Sequence, residues 1–268
     1  MREIAREQLQ AVRPVDGFQD IIRAVPLEYF STVLDVGLGT GAASAFFADA
    51  GKTVTSIGLH IERYGLIDSL RSRVELLECD LFSRALDSRK FDAVWFSHCL
   101  EHIDNPGLAL DRVNSLLGDN GWLFICVPPY SPLVQGGHLI TGWNIGQLMY
   151  LLVLHGFDVR AGHFVRHGYN IVGFVRKTSR PLPRLNYDRG DIETLAPYFP
   201  EQIKVVNAFD GDIRAVNWSF RSPKLDRQLQ ELIAPSLRPL PIRMLRWLLK
   251  TTRVLARPLA ARLRSWSE

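Results

Sequence analysis

Short apolar runs alternate with amphipathic stretches from about residue 31 to 177. "TVLDVG" (32–37) is a β-rich run ending on glycine, and "AASAFFADAG" behind it reads as a short helix stopped by Gly51. "KTVTSIGL" (52–59), "RVELLECD" (73–80) and "FDAVWFSH" (91–98) read as the second, third and fourth strands. "NPGLALDRVNSLLGDNG" (105–121) carries a proline near its start and a glycine after its end, a helix signature. "WLFICVPP" (122–129) is a fifth strand, stopped by two prolines. Strands separated by helices imply right-handed crossovers and a mostly parallel sheet. After Pro129 the rhythm changes. "IGQLMYLLVLHG" (145–156) is a helix, and "FDVRAGHFV" and "YNIVGFVRK" follow so closely that they read as a closing antiparallel hairpin turning near Gly168. The pattern predicts a seven-stranded, doubly wound α/β sheet over residues 1–177, with a charged helix at the N-terminus.

Residues 178–241 are proline-rich and aperiodic, and are expected to pack on that domain as an appendage. Residues 242–268 are different again. Arg243, Arg246, Lys250, Arg253 and Arg257 are spaced 3, 4, 3, 4, which places them on one face of a basic amphipathic helix. This tail carries a net charge of +6 in a chain of +4, so the rest is slightly acidic and the positive charge says nothing about the core's ligand. A basic amphipathic helix can lie on an anionic membrane surface through residues 242–264, or dock on its own domain. No nucleic acid is expected as a partner, because no recognition motif accompanies the arginines. Apolar residues at 47% and charged residues at 22% are ordinary for a globular chain. Cys79, Cys99 and Cys126 fit no metal or redox spacing, and no run approaches the length of a membrane span. The expectation is a cytoplasmic chain, with a peripheral position at the inner face of the membrane left open by the tail.

The glycine loop carries the first chemistry. A strand feeding Gly37-Leu-Gly39-Thr-Gly41 and then a helix lets backbone approach a ligand closely. The helix N-terminus beyond offers unpaired N–H groups. Gly37, Gly39 and Ala42 fit the dinucleotide pattern, so an NAD(P)-dependent oxidoreductase is formally allowed. S-adenosylmethionine is the other ligand of such loops, and a carboxylate at Asp35 suits its cationic amino-acid end while opposing a pyrophosphate.

"VLDVGLGTG", "LLECDLF" and "FDAVWFSHCLEHIDNPGLALDRVNSLLGDNGWLFICVPP", in this order, resemble the class I S-adenosylmethionine-dependent methyltransferases, and most closely the bacterial branch with Leu-Glu-His after strand four. The resemblance covers about residues 31–177 and implies a Rossmann-like methyltransferase fold. It implies that Asp35, Gly37, Gly39 and Gly41 line the methionine and ribose end of the cofactor, that Asp80 and Leu81 meet the adenine, and that Ser97 and His98 lie beside the sulfonium. In that family an acid ending strand two holds the ribose hydroxyls, and here the place falls on Gly58. Glu62 and His60 are the candidates to reach back. Losing one charged hydrogen bond costs on the order of 1.5–3 kcal/mol, or about one to two decades in affinity.

Methyl transfer to a hydroxyl needs an acceptor held in line and a base. His98, Glu101 and His102 in "SHCLEHIDN" are the catalytic candidates, with His102 as base and Glu101 orienting it. The same three could bind a divalent ion, as some O-methyltransferases of the branch do with a carboxylate where His98 stands. Hard cations prefer oxygen donors, so no metal is assigned. Glu-His as a mere helix cap is the bland alternative. His138, Trp143 and Tyr130, on and around a glycine-rich segment after strand five, are the acceptor-side candidates, and Tyr169 and Asn170 open the last strand toward the same place. His155, His163 and His167 read as structural or solvated. The expected function is methylation, at oxygen, of a small-molecule, glycan or lipid-linked acceptor. Its rivals are the oxidoreductase and a silent scaffold that kept the fold and lost the cofactor.

Overall fold

The computed structural model describes residues 17–61 and 67–220. Residues up to Ser222 form one compact unit and residues 223–268 a second. The second unit, with the basic stretch 242–268, lies outside the described residues, as do the N-terminal residues before Gly17.

In chain order the elements are α1 (Phe18–Arg23), β1 (Thr32–Val36), α2 (Ala42–Asp49), β2 (Thr53–Gly58), α3 (Ile67–Leu70), β3 (Glu75–Glu78), β4 (Phe91–Ser97), α4 (Pro106–Leu116), β5 (Leu117–Val127), α5 (Ile145–Leu154), β6 (Phe157–His167), β7 (Asn170–Lys177), α6 (Asp191–Thr194) and β8 (Ala215–Val216). They build one sheet in the order β3-β2-β1-β4-β5-β7-β6-β8. β3, β2, β1, β4 and β5 pair in parallel, while β7 inserts antiparallel between β5 and β6. The seven expected strands are present. An eighth joins them from the proline-rich appendage, where Ala215 and Val216 pair with Val165 and Phe164 of β6.

The central strands are apolar on both faces because helices cover both, as a parallel sheet requires. Val33, Leu34, Val94 and Phe96 are fully buried, and Leu110, Val113, Leu148 and Leu152 of α4 and α5 share one core layer with Leu34, Val94 and Phe96. Asn105 caps α4 by accepting from Leu108 N, with Pro106 at the first helical position, the arrangement the sequence signals. The reading of 105–121 as helix overran its end. α4 stops at Leu116, and β5 opens at Leu117 through an irregularity that pairs Phe91 with Leu117 but Ala93 with Trp122. Asn120 takes a left-handed φ of 57° inside that bulge.

Of the stretch read as an appendage, the described residues 178–220 belong to the packing of the first unit, and the division at Ser222 cuts through the expected 178–241 segment. Leu195 and Phe199 are buried in the same core as α5, and Gly146 N donates to Gly211 O at 3.0 Å. Among the described residues, no helix is long and apolar enough to cross a membrane.

Candidate active site

Strand order reverses between β1, which leads to β2, and β4, which leads to β5. Open α/β sheets bind ligands beside such a reversal, at the carboxyl ends of the strands. A cavity of about 400 Å³ opens there, lined by Gly37, Gly39, Gly58, Asp80, Leu81, His98, Cys99 and His102 among others. A larger hollow of about 630 Å³ at Asp158, Arg160 and Glu201 contains none of the sequence candidates.

All three loop glycines are left-handed, with φ of 76° at Gly37, 52° at Gly39 and 80° at Gly41, a conformation that costs other residues strain. Gly37 and Gly39 line the cavity, whereas Gly41 caps α2 behind it. Gly37 N and Leu38 N both donate to Ile57 O, which ties the loop to β2. At β2's end Gly58 lines the cavity with nothing closer to its Cβ position than Ile61 Cγ2 at 3.5 Å. His60 lines the same wall, and Glu62 lies outside the described residues. Asp80 turns at the end of β3, its Oδ1 accepting from Phe82 N at 2.9 Å, with Leu81 beside it in the lining.

Asp35 departs from the expected geometry. It does not line the cavity; its side chain is 2% exposed and accepts from Ser44 Oγ at 2.5 Å, and Ser44 contacts Ser56 Oγ at 2.7 Å. Burial pushes the carboxyl up to about 6, with the Ser44 hydrogen bonds pulling the other way. Its place is to tie α2 to β1 and β2 behind the loop. Ser97 is also absent from the lining, and Cys99, to which the sequence assigns no role, takes the place next to the glycines. Its Sγ donates to Val36 O at 3.1 Å, and burial holds the thiol far above its ordinary range.

The turn after β4 gathers the histidines. His98 has a left-handed φ of 52° that swings its ring toward the β6–β7 hairpin. Asn170 Nδ2 donates to His167 O at 2.9 Å, so Asn170 Oδ1 faces His98 Nε2 at 2.8 Å and that nitrogen must carry a proton. Nδ1 lies 3.2 Å from Glu101 Oε1. Burial alone would lower the His98 pKa, but Glu101 and Asn170 together hold it above its ordinary value. With Nε2 engaged by Asn170 and Nδ1 turned to Glu101, His98 is poorly placed to act as a base. Tyr169 stacks on its ring at 6.2 Å and its hydroxyl bonds the Gln135 side chain. His102 is the reverse case. Its Nδ1 donates to Gly137 O at 2.6 Å, so the lone pair of the neutral ring sits on Nε2, 3.9 Å from Glu101 Oε1.

The acceptor-side candidates separate. His138 stands edge-on to His102, ring centroids 5.0 Å apart. Tyr130 is 67% exposed. Trp143 is buried in the core at 5% exposure, so its ring offers no stacking surface. Away from the cavity, His155 bonds Asp111, His163 bonds Asn217 O and His167 bonds Asp20.

Comparison with known proteins finds methyltransferases. The ubiquinone biosynthesis O-methyltransferase of Paraburkholderia phytofirmans is 34% identical over 98 residues, 35% of this chain and 42% of that protein. The demethylmenaquinone methyltransferase of Clavibacter sepedonicus is 32% identical over 124 residues, 43% of this chain and 49% of that one. The chain thus spans less than half the length of these curated relatives. Among solved structures, human N-acetylserotonin methyltransferase in complex with SAM superposes with a TM-score of 0.51 at 17% identity, covering 61% of this chain and 52% of that one, a likeness of fold. The profile of the methyltransferase-domain family matches residues 3–167, more than half of the 268, and that span holds the glycine loop, the β3 end and the histidine turn alike: the chain belongs to the methyltransferase-domain family.

Proposed function

We propose that the chain transfers the methyl group of S-adenosylmethionine to an oxygen of a small-molecule acceptor. The observation that carries this reading is the pairing of His102 Nδ1 with Gly137 O, which leaves Nε2 as a proton acceptor at the rim of the cavity that the glycine loop lines. Bound S-adenosylmethionine supplies an electrophilic methyl group on a sulfonium. The chain's own residues supply the rest. Gly37, Gly39, Gly58, Asp80 and Leu81 form the cofactor wall, and His102 Nε2 takes the acceptor's proton. His98, held above its ordinary pKa by Glu101 and Asn170, leans toward the charged ring and offers a platform for Tyr169. The curated relatives named for ubiquinone and demethylmenaquinone support a small, ring-type acceptor. A glycan or lipid-linked acceptor reached through residues 242–264 belongs to the same proposal, but that segment lies outside the described residues.

Asp35 no longer argues against a dinucleotide, because its carboxylate does not line the cavity; the family match takes over that role. The silent-scaffold reading keeps one observation in its favour, the absence of an acid at Gly58. Calorimetric titration with S-adenosylmethionine and S-adenosylhomocysteine, with NAD(P) as control, decides among the three. Micromolar binding of the sulfur nucleotides is expected. A methyl-transfer screen of phenolic acceptors should follow, with His102→Ala slower by about 10²–10⁴-fold. Absence of nucleotide binding up to millimolar concentration would overturn the reading in favour of the scaffold.

A further inference from the structure

We propose that the hollow between α5 and the appendage is a second binding site, one for a neutral saccharide ring. Its volume of about 370 Å³ is that of a small-molecule site. The first turns of α5 supply Gln147 and Tyr150, and the appendage supplies Asp188, Arg189 and Asn207. None of these residues lines the cofactor cavity.

Backbone holds the hollow in shape. Gly146 N donates to Gly211 O at 3.0 Å, and a Cβ on either glycine would collide with the facing segment. Asn207 N donates to Glu193 Oε1 at 2.9 Å, and the buried Asp191 carboxylate accepts from Asn186 N and Tyr187 N. The loops are thus fixed without the polar side chains that line the hollow. Those of Gln147, Tyr150, Arg189 and Asn207 have no hydrogen-bond or ion-pair partner among the described residues. Asp188 spends Oδ1 on Gly190 N and keeps Oδ2.

That set of groups selects the ligand. The two amides and the phenol each donate and accept, Arg189 only donates, and Asp188 only accepts. A hydroxyl also does both, so a polyol ring can use every one of them. Phosphate offers acceptors alone and an ammonium donors alone, and each leaves part of the set idle. Charge argues the same way. Arg189 is the one cation among the described lining residues, and Asp188 next to it opposes it. Burial, and then the Asp191 carboxylate, hold the Tyr150 hydroxyl above its ordinary pKa, so no positive excess is left for an anion. Ile192 and Phe209 add the apolar wall that the C–H face of a sugar ring needs. Beside Asp188, Tyr187 holds a left-handed φ of 58° with its side chain 90% exposed. Strain of that kind in a bulky residue collects at ligand clamps.

The hollow also bears on the acceptor. Gly137 stands at the cofactor cleft, its carbonyl on His102, and Asn144, seven residues on, lines the hollow. Seven residues reach at most about 25 Å, so a glycan that crosses this span engages hollow and cleft together. That use rests on the methyl-transfer reading, whereas saccharide binding does not.

Saturation-transfer NMR of the full chain with glucose, galactose, mannose, rhamnose and N-acetylglucosamine at millimolar concentration tests the site. Glucuronate and inorganic phosphate serve as anionic probes. Transfer to at least one neutral sugar is expected, and titration of that sugar gives its affinity. Gln147→Ala, Tyr150→Phe and Arg189→Ala each remove a hydrogen-bonding group, and each should weaken the sugar about 3–10-fold. If Tyr150→Phe lowers the melting temperature, the exposed Gln147 and Arg189 decide. No transfer to any neutral sugar, transfer confined to glucuronate or phosphate, or wild-type affinity in the double variant Gln147→Ala/Arg189→Ala would each overturn the assignment. Titration of the same samples with S-adenosylhomocysteine separates the two proposals, its affinity being unchanged by these substitutions. Sugar binding without nucleotide binding sinks the cofactor reading alone, and nucleotide binding without sugar binding sinks the saccharide site alone.

Discussion

The Sγ of Cys99 occupies the space that a side chain on Gly37 would need: a Cβ built on Gly37 overlaps it. The first loop glycine is thus required twice, by a φ of 76° and by a thiol from the turn after β4. Gly37→Ala should lower stability by about 1–3 kcal/mol from the backbone alone and more from the clash. Binding of S-adenosylhomocysteine should fall with it. The double variant Gly37→Ala/Cys99→Ala should recover the steric part and keep the backbone part, a coupling that urea denaturation of the four proteins resolves. Strict additivity would show that the two residues do not share the space.

Gly58 marks a gap that can be filled. Its φ is not left-handed, and a Cβ there meets nothing nearer than Ile61 Cγ2 at 3.5 Å. Gly58→Asp puts a carboxylate into the cavity wall at the end of β2, where the family resemblance places the ribose acid. One charged hydrogen bond, on the order of 1.5–3 kcal/mol, should tighten S-adenosylmethionine and S-adenosylhomocysteine by about 10–100-fold. Calorimetry of the variant reads it directly. Unchanged affinity would mean that another group already holds the ribose.

Asp35 sets a pH dependence of folding with a definite sign. Burial raises its pKa from 3.8 to about 6 in the folded chain. Between those values the native state holds a proton that the unfolded state has released, so stability falls as pH rises from 4 to 6 and levels off above. The size is of order 3 kcal/mol at 1.36 kcal/mol per unit. Asp35→Asn can still accept from Ser44 and should lack this component, as urea midpoints of both proteins across that window would reveal. S-adenosylhomocysteine affinity should stay within a few-fold. A hundredfold loss would show that the carboxylate reaches the cofactor after all.

These residues also mark where the sequence is legible. Strands β1 to β5 and the closing hairpin follow from apolar runs cut by Gly and Pro, because a parallel sheet buries both faces of each strand. That same two-sided burial hides which way Asp35 points, since alternation of apolar and polar positions is lost when neither face is wet. Leu117 to Gly121 reads as helix because Gly121 looks like the glycine after its end, and only pairing with Phe91 and Ala93 reveals the bulge. The histidine turn was visible as a cluster, but its roles were not. Asn170, which engages His98 Nε2, is 72 residues away, and the antiparallel insertion of β7 beside β5 brings the hairpin tip back to the site. Trp143 looked like an acceptor platform because its glycine-rich surroundings read as loop, whereas packing at the head of α5 puts it in the core.

Gly137 offers a test of His102 that leaves His102 in place. Its φ of 81° is left-handed, and a Cβ there would sit 3.3 Å from His102 Nδ1. Gly137→Ala should therefore displace the carbonyl that fixes the ring's tautomer, without touching the cofactor wall, of which Gly137 is not a part. A misplacement of about 1 Å at a reacting group can cost on the order of 10²-fold in rate. The expected result is a kcat lower by about that factor, with S-adenosylmethionine affinity unchanged in calorimetry. A merely structural role for the Gly137–His102 bond would instead lower stability and leave kcat alone. Equal losses in kcat and in cofactor affinity would place the defect in the loop as a whole, and His102 would lose its claim to be the base.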